Sequence, residues 1–369
     1  MGKPDLLIIG GGVTGVTAAI AAAEQGATVC IVDAGINAGS NANAGSLHVQ
    51  LQSRFIRLYP DQAPNVEASL PLYLQAVREW ERLDAALGPF DLVRKGGLML
   101  AEGDEQLRFL EKKADRERAK GLSVEILDRD ALDRLAPWLG PQIVGAELCH
   151  DEGKLNPLAA NARLRERAES LGVVFVADRI LALEADGTAH GAVSYHANQV
   201  IIAAAWGVGD LVTGFGLAVP SRAEPLHMNI TEAATAQINH LIQHAERSIT
   251  LKQFGTGQIV IGGGWAADSR GNAQVPGVLA GSMLGNVALA ARLVPGIAGL
   301  RVIRTWAGMN TTIDGKTVLG RVAPRVIVAV PGDAGYTLGP LVGRAAAAIA
   351  TGQTAVLDAT PYSPARFTV

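Results

Sequence analysis

Apolar residues in this chain form, at two places, a short run that leads into glycines and then into a small-residue helix. The first run is Leu6–Ile9, and an alanine-rich segment with helical spacing follows at Val16–Gln25. This pattern predicts a buried strand, a tight turn and a helix that stops at Gly26. A similar arrangement occupies residues 329–352, where an apolar strand enters a glycine loop and Pro340 opens an alanine-rich helix. The repetition raises the question of what two such turns do in one protein.

Further strands and helices are predicted between the two turns. Elements that fit the same domain are strands at Thr28–Val32, Val173–Val176 and Ile180–Glu184, a strand within 198–212, and a helix from Pro157 to Gly172 that Asn156 caps. Elements of a different kind are helical runs at Pro71–Leu87 and Asp104–Lys120 around a strand at 96–103, and alternating strands at 227–233, 248–254 and 258–265. The chain is therefore predicted to be α/β, with one nucleotide-binding domain assembled from three separated segments and a second domain beside it.

Composition narrows the class of protein. Hydrophobic residues make up 49% of the 369 residues, which is ample for a core, and the net charge of −3 comes without a long basic or acidic run. Nothing in it indicates binding to nucleic acid. Cys30 and Cys149 are the two cysteines, so neither a disulfide framework nor a metal-ligand spacing is predicted, and a reducing compartment such as the cytoplasm is expected. The uncharged stretch 6–23 contains four glycines, which favours a strand, turn and helix over a transmembrane segment.

The first glycine turn predicts a dinucleotide site. Gly10, Gly12 and Gly15 form GxGxxG between a strand and a helix, and Asp33 follows the second strand. In this arrangement the first glycine allows the turn, the second lets the backbone approach a pyrophosphate, and the third lets the helix pack on the strand. The helix N-terminus attracts the phosphates, and the acid binds the ribose hydroxyls. A glycine-rich turn without a ligand is the alternative.

The next segment favours FAD over NAD. Residues 39–52, GSNANAGSLHVQLQ, are small and polar, and they suit a loop that lies along an extended ligand. An NAD-binding domain would continue with another strand and helix at this point.

Five segments, in this order, resemble the D-amino-acid oxidase-like (DAO) family of FAD-dependent oxidoreductases. They are IIGGGVTGVTAAIAAAEQGATVCIVDAG, SNANAGSL, DEGKLNPLAANARLRERAESLGVVF, VIIAAAWGVGDL, and TWAGMNTTIDGKTVLG followed by GDAGYTLGP. The family includes sarcosine, glycine and D-amino-acid oxidases and the flavin subunits of opine and hydroxyproline dehydrogenases. The resemblance implies a Rossmann-like FAD-binding domain of the glutathione-reductase type, formed by 1–71, 146–220 and 301–369. It also implies an α+β substrate domain on a mostly antiparallel sheet, formed by 72–145 and 221–300.

The resemblance also implies which residues meet FAD. The first turn would hold the pyrophosphate, Asp33 the adenosine ribose, Ile180 the adenine through its backbone, and the 332–339 loop the isoalloxazine. The full set of expected FAD-binding residues is Gly10, Gly12, Val13, Thr14, Gly15, Asp33, Ala34, Ser40, Asn43, Ala44, Gly45, Ser46, Ile180, Ala204, Trp206, Met309, Asp333, Gly335, Tyr336 and Thr337. No His or Cys stands at the family's usual flavin-linking positions, so noncovalent FAD is expected.

The last helix is predicted to begin near Leu338 or Pro340, with its positive N-terminal end directed at the flavin. Such a dipole stabilises the negative charge that develops there during hydride transfer. A surface helix docked on the sheet is the alternative. Asp333 stands where the family often has His, and either binds a ribityl hydroxyl or caps the turn.

Candidate catalytic residues are His48, Tyr336, Asn310, Trp265 and His227. His227 and Asn229 alternate on a strand that faces either the cavity or the outside of the sheet. Trp265 and Trp306 follow strand ends, and either form the pocket wall or fill the core. His240 and His244 are four residues apart on a predicted helix, and without a third ligand they are assigned to the surface and to no metal.

Two departures from the family affect the predicted chemistry. Amino-acid-oxidising relatives often carry, after WAG, an Arg that pairs with the substrate carboxylate, and Asn310 stands here instead. Arg54 and Arg222 are the candidate replacements. Val260 occupies the strand position of the Lys that sarcosine oxidase uses for oxygen activation, and Lys252 is the nearest alternative. This favours a dehydrogenase that passes electrons to a partner or quinone.

The predicted function is oxidation of the C–N bond of an amine or amino acid by an FAD-dependent enzyme. The substrate classes considered are D-amino acids, N-alkyl amino acids, prolines and opines. The alternatives are a flavin subunit of a heteromeric dehydrogenase, an FAD-binding protein without turnover, and an NAD(P)-dependent dehydrogenase. No transmembrane segment is predicted.

Overall fold

Two large sheets organise the chain. The structure is a computed structural model that describes residues 3–235, 238–354 and 356–369. The side chain of Arg54, a predicted carboxylate-binding candidate, lies outside the described residues. No helix within the described ranges is long and apolar enough to cross a bilayer.

The first sheet has six strands and contains the predicted nucleotide-binding strands. In spatial order they are β18 (Val318–Ala323), β19 (Val326–Val330), β12 (Gln199–Ile202), β1 (Leu6–Ile9), β2 (Val29–Asp33) and β8 (Val174–Ala177). Neighbouring strands are parallel, except that β18 and β19 are antiparallel. Parallel strands of this length are apolar on both faces because both faces are covered.

Each face of this sheet has its own cover. Side chains such as Ile8, Ile31 and Ile201 pack into one core with helices, whereas Leu7 and Val32 pack into another. The helices of the first face are α1 (Val13–Ala23), α3 (Ala63–Leu87), α6 (Pro157–Ser170) and α9 (Gly335–Thr351). The second face is covered by α7 (Val208–Val212) and a three-stranded sheet of β9 (Ala182–Leu183), β10 (Thr188–His190) and β11 (Ser194–His196). The alternation of side chains along each strand produces this division.

The second sheet has eight strands and is mostly antiparallel. Its order is β17 (Val302–Thr312), β13 (Arg222–Ala233), β16 (Gln258–Gly262), β15 (Thr250–Gln253), β14 (Leu241–His244), β4 (Gly97–Ala101), β6 (Gly145–Cys149) and β5 (Val124–Asp128). Only β14 and β4 are parallel neighbours among these described strands. Helices α5 (Arg129–Leu135) and α8 (Ala280–Leu293) cover one face, and α4 (Asp104–Arg118) packs on the other. Helix α2 (Ser53–Leu58) and the small ladder of β3 (Ser46–Leu47) with β7 (Gly153–Lys154) belong to neither large sheet; they are part of the chain segments that connect the two.

Helix α9 begins earlier than predicted. It starts at Gly335, and Pro340 lies inside it. The helix tolerates this proline because another donor replaces the backbone N–H that proline lacks. The indole Nε1 of Trp80 donates to the carbonyls of Tyr336 and Thr337, each at 3.1 Å. In a regular helix the N–H of residue 340 would donate to the carbonyl of Tyr336. The side chain of Trp80 in α3 donates to this carbonyl instead.

Some elements cross the predicted domain boundaries, which remain a prediction. Helix α3 spans the boundary at 71/72 and packs with the first sheet's helices. Strands β6 and β17 pair within the second sheet, although 146–220 and 301–369 are assigned to the FAD-binding domain. These contacts favour assigning α3 to the first domain and both strands to the second.

Candidate active site

The first glycine turn brings the start of α1 to the ends of three strands. Gly10 has a φ of +111°, and a Cβ there would overlap the carbonyl oxygen of Ala203. A Cβ on Gly15 would overlap the carbonyl of Gly10, so this glycine lets the helix lie against the strand, as predicted. Gly12 precedes α1 and has no side chain to cap it. The turn is therefore shaped for close approach of a ligand to backbone N–H groups.

Hydrogen bonds to the side chains of Asp33 and Ser40 hold the backbone of this turn in place. One oxygen of Asp33 accepts from the backbone N–H of Gly11 at 2.6 Å, and the other accepts from Gly35 at 2.7 Å. Ser40 Oγ accepts from the N–H of Val13 at 2.9 Å. Asp33 thus stands at the end of β2 beside the turn, where the acid of a dinucleotide site is expected.

The second turn lies beside the first because α9 and α1 pack at glycine contacts. A Cβ on Gly339 would come within 2.5 Å of the Val13 side chain. A Cβ on Gly343 would overlap the carbonyl oxygen of Thr14 and the hydroxyl of Thr17. With no side chains between them at these points, the two helices begin next to each other. The two devices therefore serve one place in the molecule.

One cavity of about 570 Å³ runs along both turns and reaches the second sheet. Of the predicted FAD-binding residues, all but Gly15 and Gly45 line it. Those two serve packing instead, since a Cβ on Gly45 would overlap the carbonyl of Leu155. The cavity combines the starts of two helices whose N-cap residues supply no side-chain cap, the Asp33 carboxyl and a long wall of small residues. These features fit the pyrophosphate, ribose and extended length of FAD.

Not all of the predicted catalytic residues line the cavity. His48 lines it and is about one fifth exposed. Asn310 also lines it, but its amide nitrogen donates to Asp333 at 2.8 Å and to Glu224 at 3.3 Å. Asn310 is thus engaged with carboxylates and not placed to bind one from a substrate in the manner of Arg. Arg222 is exposed and does not line the cavity.

Tyr336 and Trp265 are built into the packing. The Tyr336 ring stacks on Trp80 at 5.1 Å between centroids, and its hydroxyl donates to Asn161 at 2.9 Å. Burial raises the pKa of Tyr336 above its usual range. Trp265 does not line the cavity; its indole donates to the carbonyl of Ser248 at 2.6 Å, and its ring lies against Gly285 of α8. Packing accounts for the position of both side chains, although Tyr336 also lines the cavity.

His227 lines the cavity, on the first of its two predicted sides, and its catalytic role remains a prediction. Its side chain is buried, burial lowers its pKa, and neither ring nitrogen has a hydrogen-bond partner among the described residues. Trp306 lies within β17 and donates to the carbonyl of Ala42 at 2.8 Å. The prediction that His240 and His244 lie on a surface helix was wrong: they flank and end β14, and both are buried. Residues four apart also share a face on a strand, so spacing alone did not distinguish the two structures.

Two further residues matter for the cavity: Lys252, which the sequence offered only as the nearest alternative to the Lys missing at Val260, and Glu152, which it did not offer. Lys252 of β15 is fully buried, lines the cavity, and donates to Ser46 Oγ at 2.7 Å. It pairs across the sheet with Val260, so the neighbouring strand supplies the Lys that the sequence lacks at Val260. Glu152 lies behind His48 and is also fully buried. An isolated Lys within an apolar strand was the signal for the first, whereas nothing in the sequence marks the second.

Lys252 makes stability depend on pH. Burial, and to a smaller extent the charge of Lys154, lower the pKa of Lys252 from 10.5 to about 7. Between these two pH values the unfolded chain binds more protons than the folded one, so the free energy of unfolding rises with pH. In Lys252→Met this rise is expected to be clearly smaller, with higher stability at pH 7. Urea unfolding of both proteins from pH 6.5 to 10 measures it; equal slopes would contradict the assignment.

No metal site is indicated in the described part of the chain, where no group of three or more His, Cys, Asp or Glu side chains could hold an ion.

Comparison with known proteins identifies the family. The family model for DAO, FAD dependent oxidoreductase, matches residues 5–349. The chain therefore belongs to the DAO family, and its cofactor is FAD. One of the subunits of opine oxidase from Rhizobium meliloti is 26% identical over 332 residues, which cover 85% of this chain and 84% of that protein.

Solved structures share the fold. Glycine oxidase from Geobacillus kaustophilus superposes with a TM-score of 0.81 at 22% identity and covers 98% of both chains. L-Proline dehydrogenase from P. horikoshii superposes with a TM-score of 0.84 at 18% identity, covering 99% of this chain and 98% of that one. The predicted family and its mixed α/β fold are thus confirmed.

Proposed function

We propose that the protein oxidises the C–N bond of an amine or amino acid, with hydride transfer from the substrate carbon to FAD. The observation that carries the proposal is the single cavity, which passes both glycine turns and ends against the second sheet beside His48 and Lys252. Where the FAD site meets the wall formed by the second sheet, the cavity has room for a substrate next to the cofactor.

The first sheet supports FAD binding of the glutathione-reductase type. Its parallel strands, the helical cover on one face and the small antiparallel sheet on the other agree with that arrangement. The second sheet then forms the wall opposite the cofactor, and it is the mostly antiparallel substrate domain of the proposal.

The chain's residues have distinct roles in the proposed reaction. When bound, FAD supplies a two-electron acceptor for the hydride. The start of α9 presents N–H groups at the second turn, where they stabilise negative charge in the cavity. The second sheet contributes a wall in which apolar side chains such as Leu226 and Met228 displace water from the cavity. His48 and Lys252 are two of the polar side chains that line the cavity beside the second sheet.

An oxidase is the first candidate for the second half of the reaction. The preference for a dehydrogenase rested on the missing Lys at Val260, and Lys252 removes that basis. A buried ammonium group in the cavity favours electron transfer to O₂, because oxygen gains negative charge as it is reduced.

A flavin subunit of a heteromeric enzyme is the second candidate. It is favoured by the similarity to the opine oxidase subunit of Rhizobium meliloti over most of both chains. Opines are for the same reason one of the substrate classes to test. In this case electrons would leave through a partner subunit, and the isolated chain would react poorly with O₂.

An anaerobic substrate screen tests the proposal. Purified protein with FAD is mixed, without oxygen, with D-amino acids, N-alkyl amino acids, prolines and opines, and the visible flavin absorbance is followed. At least one class is expected to bleach the flavin, and admitting air then separates oxidase from dehydrogenase. Bleaching by none of these amines, together with bleaching by a hydroxy acid or by NADH, would contradict the proposal.

A further inference from the structure

Glu152 is a buried carboxylate that organises the segment containing His48. One of its oxygens accepts from the backbone N–H groups of Val49 at 2.9 Å and Gln50 at 3.2 Å. The other accepts from the side-chain amides of Gln50 and Gln243, both at 2.8 Å. All four partners are donors, which is the pattern that an ionised carboxylate requires. Glu152 therefore joins the 48–52 segment to β14 of the second sheet.

The same carboxylate faces the ring of His48. The Nδ1 atom of His48 lies 3.8 Å from Glu152 Oε1 and 3.5 Å from the amide nitrogen of Gln52. Among the described residues none forms a hydrogen bond with Nε2, and the ring lines the cavity. One ring nitrogen thus faces the buried charge, while the other is left for a molecule in the cavity.

The other charged groups near this pair, Lys113, Glu117 and Glu147, form ion pairs with one another. Lys113 Nζ lies 2.8 Å from Glu117 and 2.7 Å from Glu147, and it also donates to Gln50 at 3.1 Å. Burial raises the pKa of Glu147 to about 9. Against the cost of burial, Glu117 and Glu147 hold the pKa of Lys113 above its ordinary value. Lys113 is thus held by its own two carboxylates, Glu117 and Glu147, and forms no ion pair with Glu152 among the described contacts.

Two lysines complete the surroundings of His48. Lys252 binds Ser46, two residues before His48, and Lys154 pairs with Ser46 across the small ladder. Burial lowers the pKa of Lys154 to about 8, and its ammonium donates to the carbonyl of Ile238 at 2.8 Å. Neither lysine forms an ion pair with Glu152 among the described contacts, in which the partner of this carboxylate is His48 Nδ1.

We propose that Glu152 is a positioning residue which acts through His48, and that His48 accepts the proton an ammonium substrate loses before its C–N bond is oxidised. The inference rests on the proposed function and names the proton acceptor of that site. The neutral ring of His48 carries its hydrogen on Nδ1, the nitrogen that faces Glu152, so that Nε2 is the acceptor. An N–H bond of the ammonium breaks and an Nε2–H bond forms, which leaves a neutral amine and an imidazole protonated on both nitrogens facing Glu152. The C–H bond then breaks, its electron pair leaves as hydride to FAD, and the nitrogen lone pair forms the C=N bond of the imine.

The test is anaerobic flavin reduction at saturating substrate from pH 5.5 to 9, in wild type and Glu152→Gln holoenzyme. The rate is expected to fall at acidic pH as His48 becomes protonated. Without the charge of Glu152 the imidazolium is disfavoured, so the acidic limb should move about one pH unit lower. The maximal rate should fall about tenfold because a weaker base accepts the proton.

Two further variants make the result interpretable. Glu125→Gln removes a carboxylate from the exposed pair with His150, 2.9 Å apart, and serves as the matched control without a shift. His48→Asn changes a partly exposed side chain and should remove the acidic limb even if Glu152→Gln fails to fold. The ring signal of His48, one of seven histidines, is followed by NMR over the same pH range and assigned with His48→Asn. Its midpoint should also move to lower pH in Glu152→Gln.

The two measurements separate failure of the inference from failure of the proposed function. A shifted NMR midpoint with an unshifted rate limb would overturn His48 as the acceptor. An unshifted NMR midpoint would overturn the role of Glu152. If no amine reduces the flavin while the NMR midpoint moves, the proposed function and the proton-acceptor step both fail, and only the coupling of the two residues is supported.

Discussion

Replacing Gly343 with Leu is expected to give a protein that purifies without FAD. Gly343 lies where α9 crosses α1, and even a Cβ there would overlap the carbonyl oxygen of Thr14. Backbone cannot rotate away as a side chain can, so the helices must separate. Because the two turns precede these helices, separation moves one turn away from the other. We expect FAD affinity to fall about 100-fold or more, measured by titrating FAD into apoprotein.

A graded series and a control make this result specific. Gly343→Ala should lie between wild type and Gly343→Leu, since the overlap begins at the Cβ. Gly299→Leu places the same side chain at an exposed glycine with open space around it, and should retain FAD. Thermal unfolding of the apoproteins shows whether each variant is folded. Normal FAD binding in a folded Gly343→Leu protein would contradict the dependence of binding on the α1–α9 contact.

Replacing Lys252 with Met is expected to slow the reaction of the reduced enzyme with O₂ about 100-fold. Lys252 is a buried lysine that lines the cavity, and because its pKa is lowered to about 7 it is a cation at pH 6, where Met has a similar length without the charge. Developing negative charge on oxygen then loses its stabilisation, while the site for FAD is unchanged. Stopped-flow reoxidation after reduction by dithionite measures the effect without requiring a known substrate.

The matched control is Lys95→Met, which removes an exposed lysine and should not change reoxidation. Reduction of an artificial dye should be similar in all three proteins, because a dye does not need the buried cation. If wild type and Lys252→Met react with O₂ at the same rate, Lys252 has no role in the oxygen reaction. Slow reoxidation of the wild type itself would support the heteromeric alternative.

The features of the fold and the site that could be predicted from the sequence are those whose cause lies in neighbouring residues of the chain. The first turn needs glycine at Gly10 for a positive φ and at Gly15 for close packing, so its residues indicate its geometry directly. The cap at Asn156 accepts from Leu158 and Ala159 and starts α6 where it was predicted. Most of the cavity-lining residues that are expected to bind FAD follow from these two kinds of signal together with the family resemblance.

The parts that were missed depend on contacts between distant segments. The start of α9 was misplaced because the indole that compensates for Pro340 comes from Trp80, far away in the chain. Tyr336 lines the cavity as predicted, but the stacking of its ring on the same indole could not be read from the sequence. Lys252 was undervalued because only the pairing of β15 with β16 shows that it lies beside Val260. Sequence spacing contains none of these relations.

A crystal structure of the purified protein with FAD tests the central claim most directly. It should show the pyrophosphate at the start of α1, the adenosine ribose at Asp33, and the isoalloxazine between the 332–337 turn and the wall that contains Lys252. An isoalloxazine located away from that turn, or a nicotinamide nucleotide in the first turn, would contradict it.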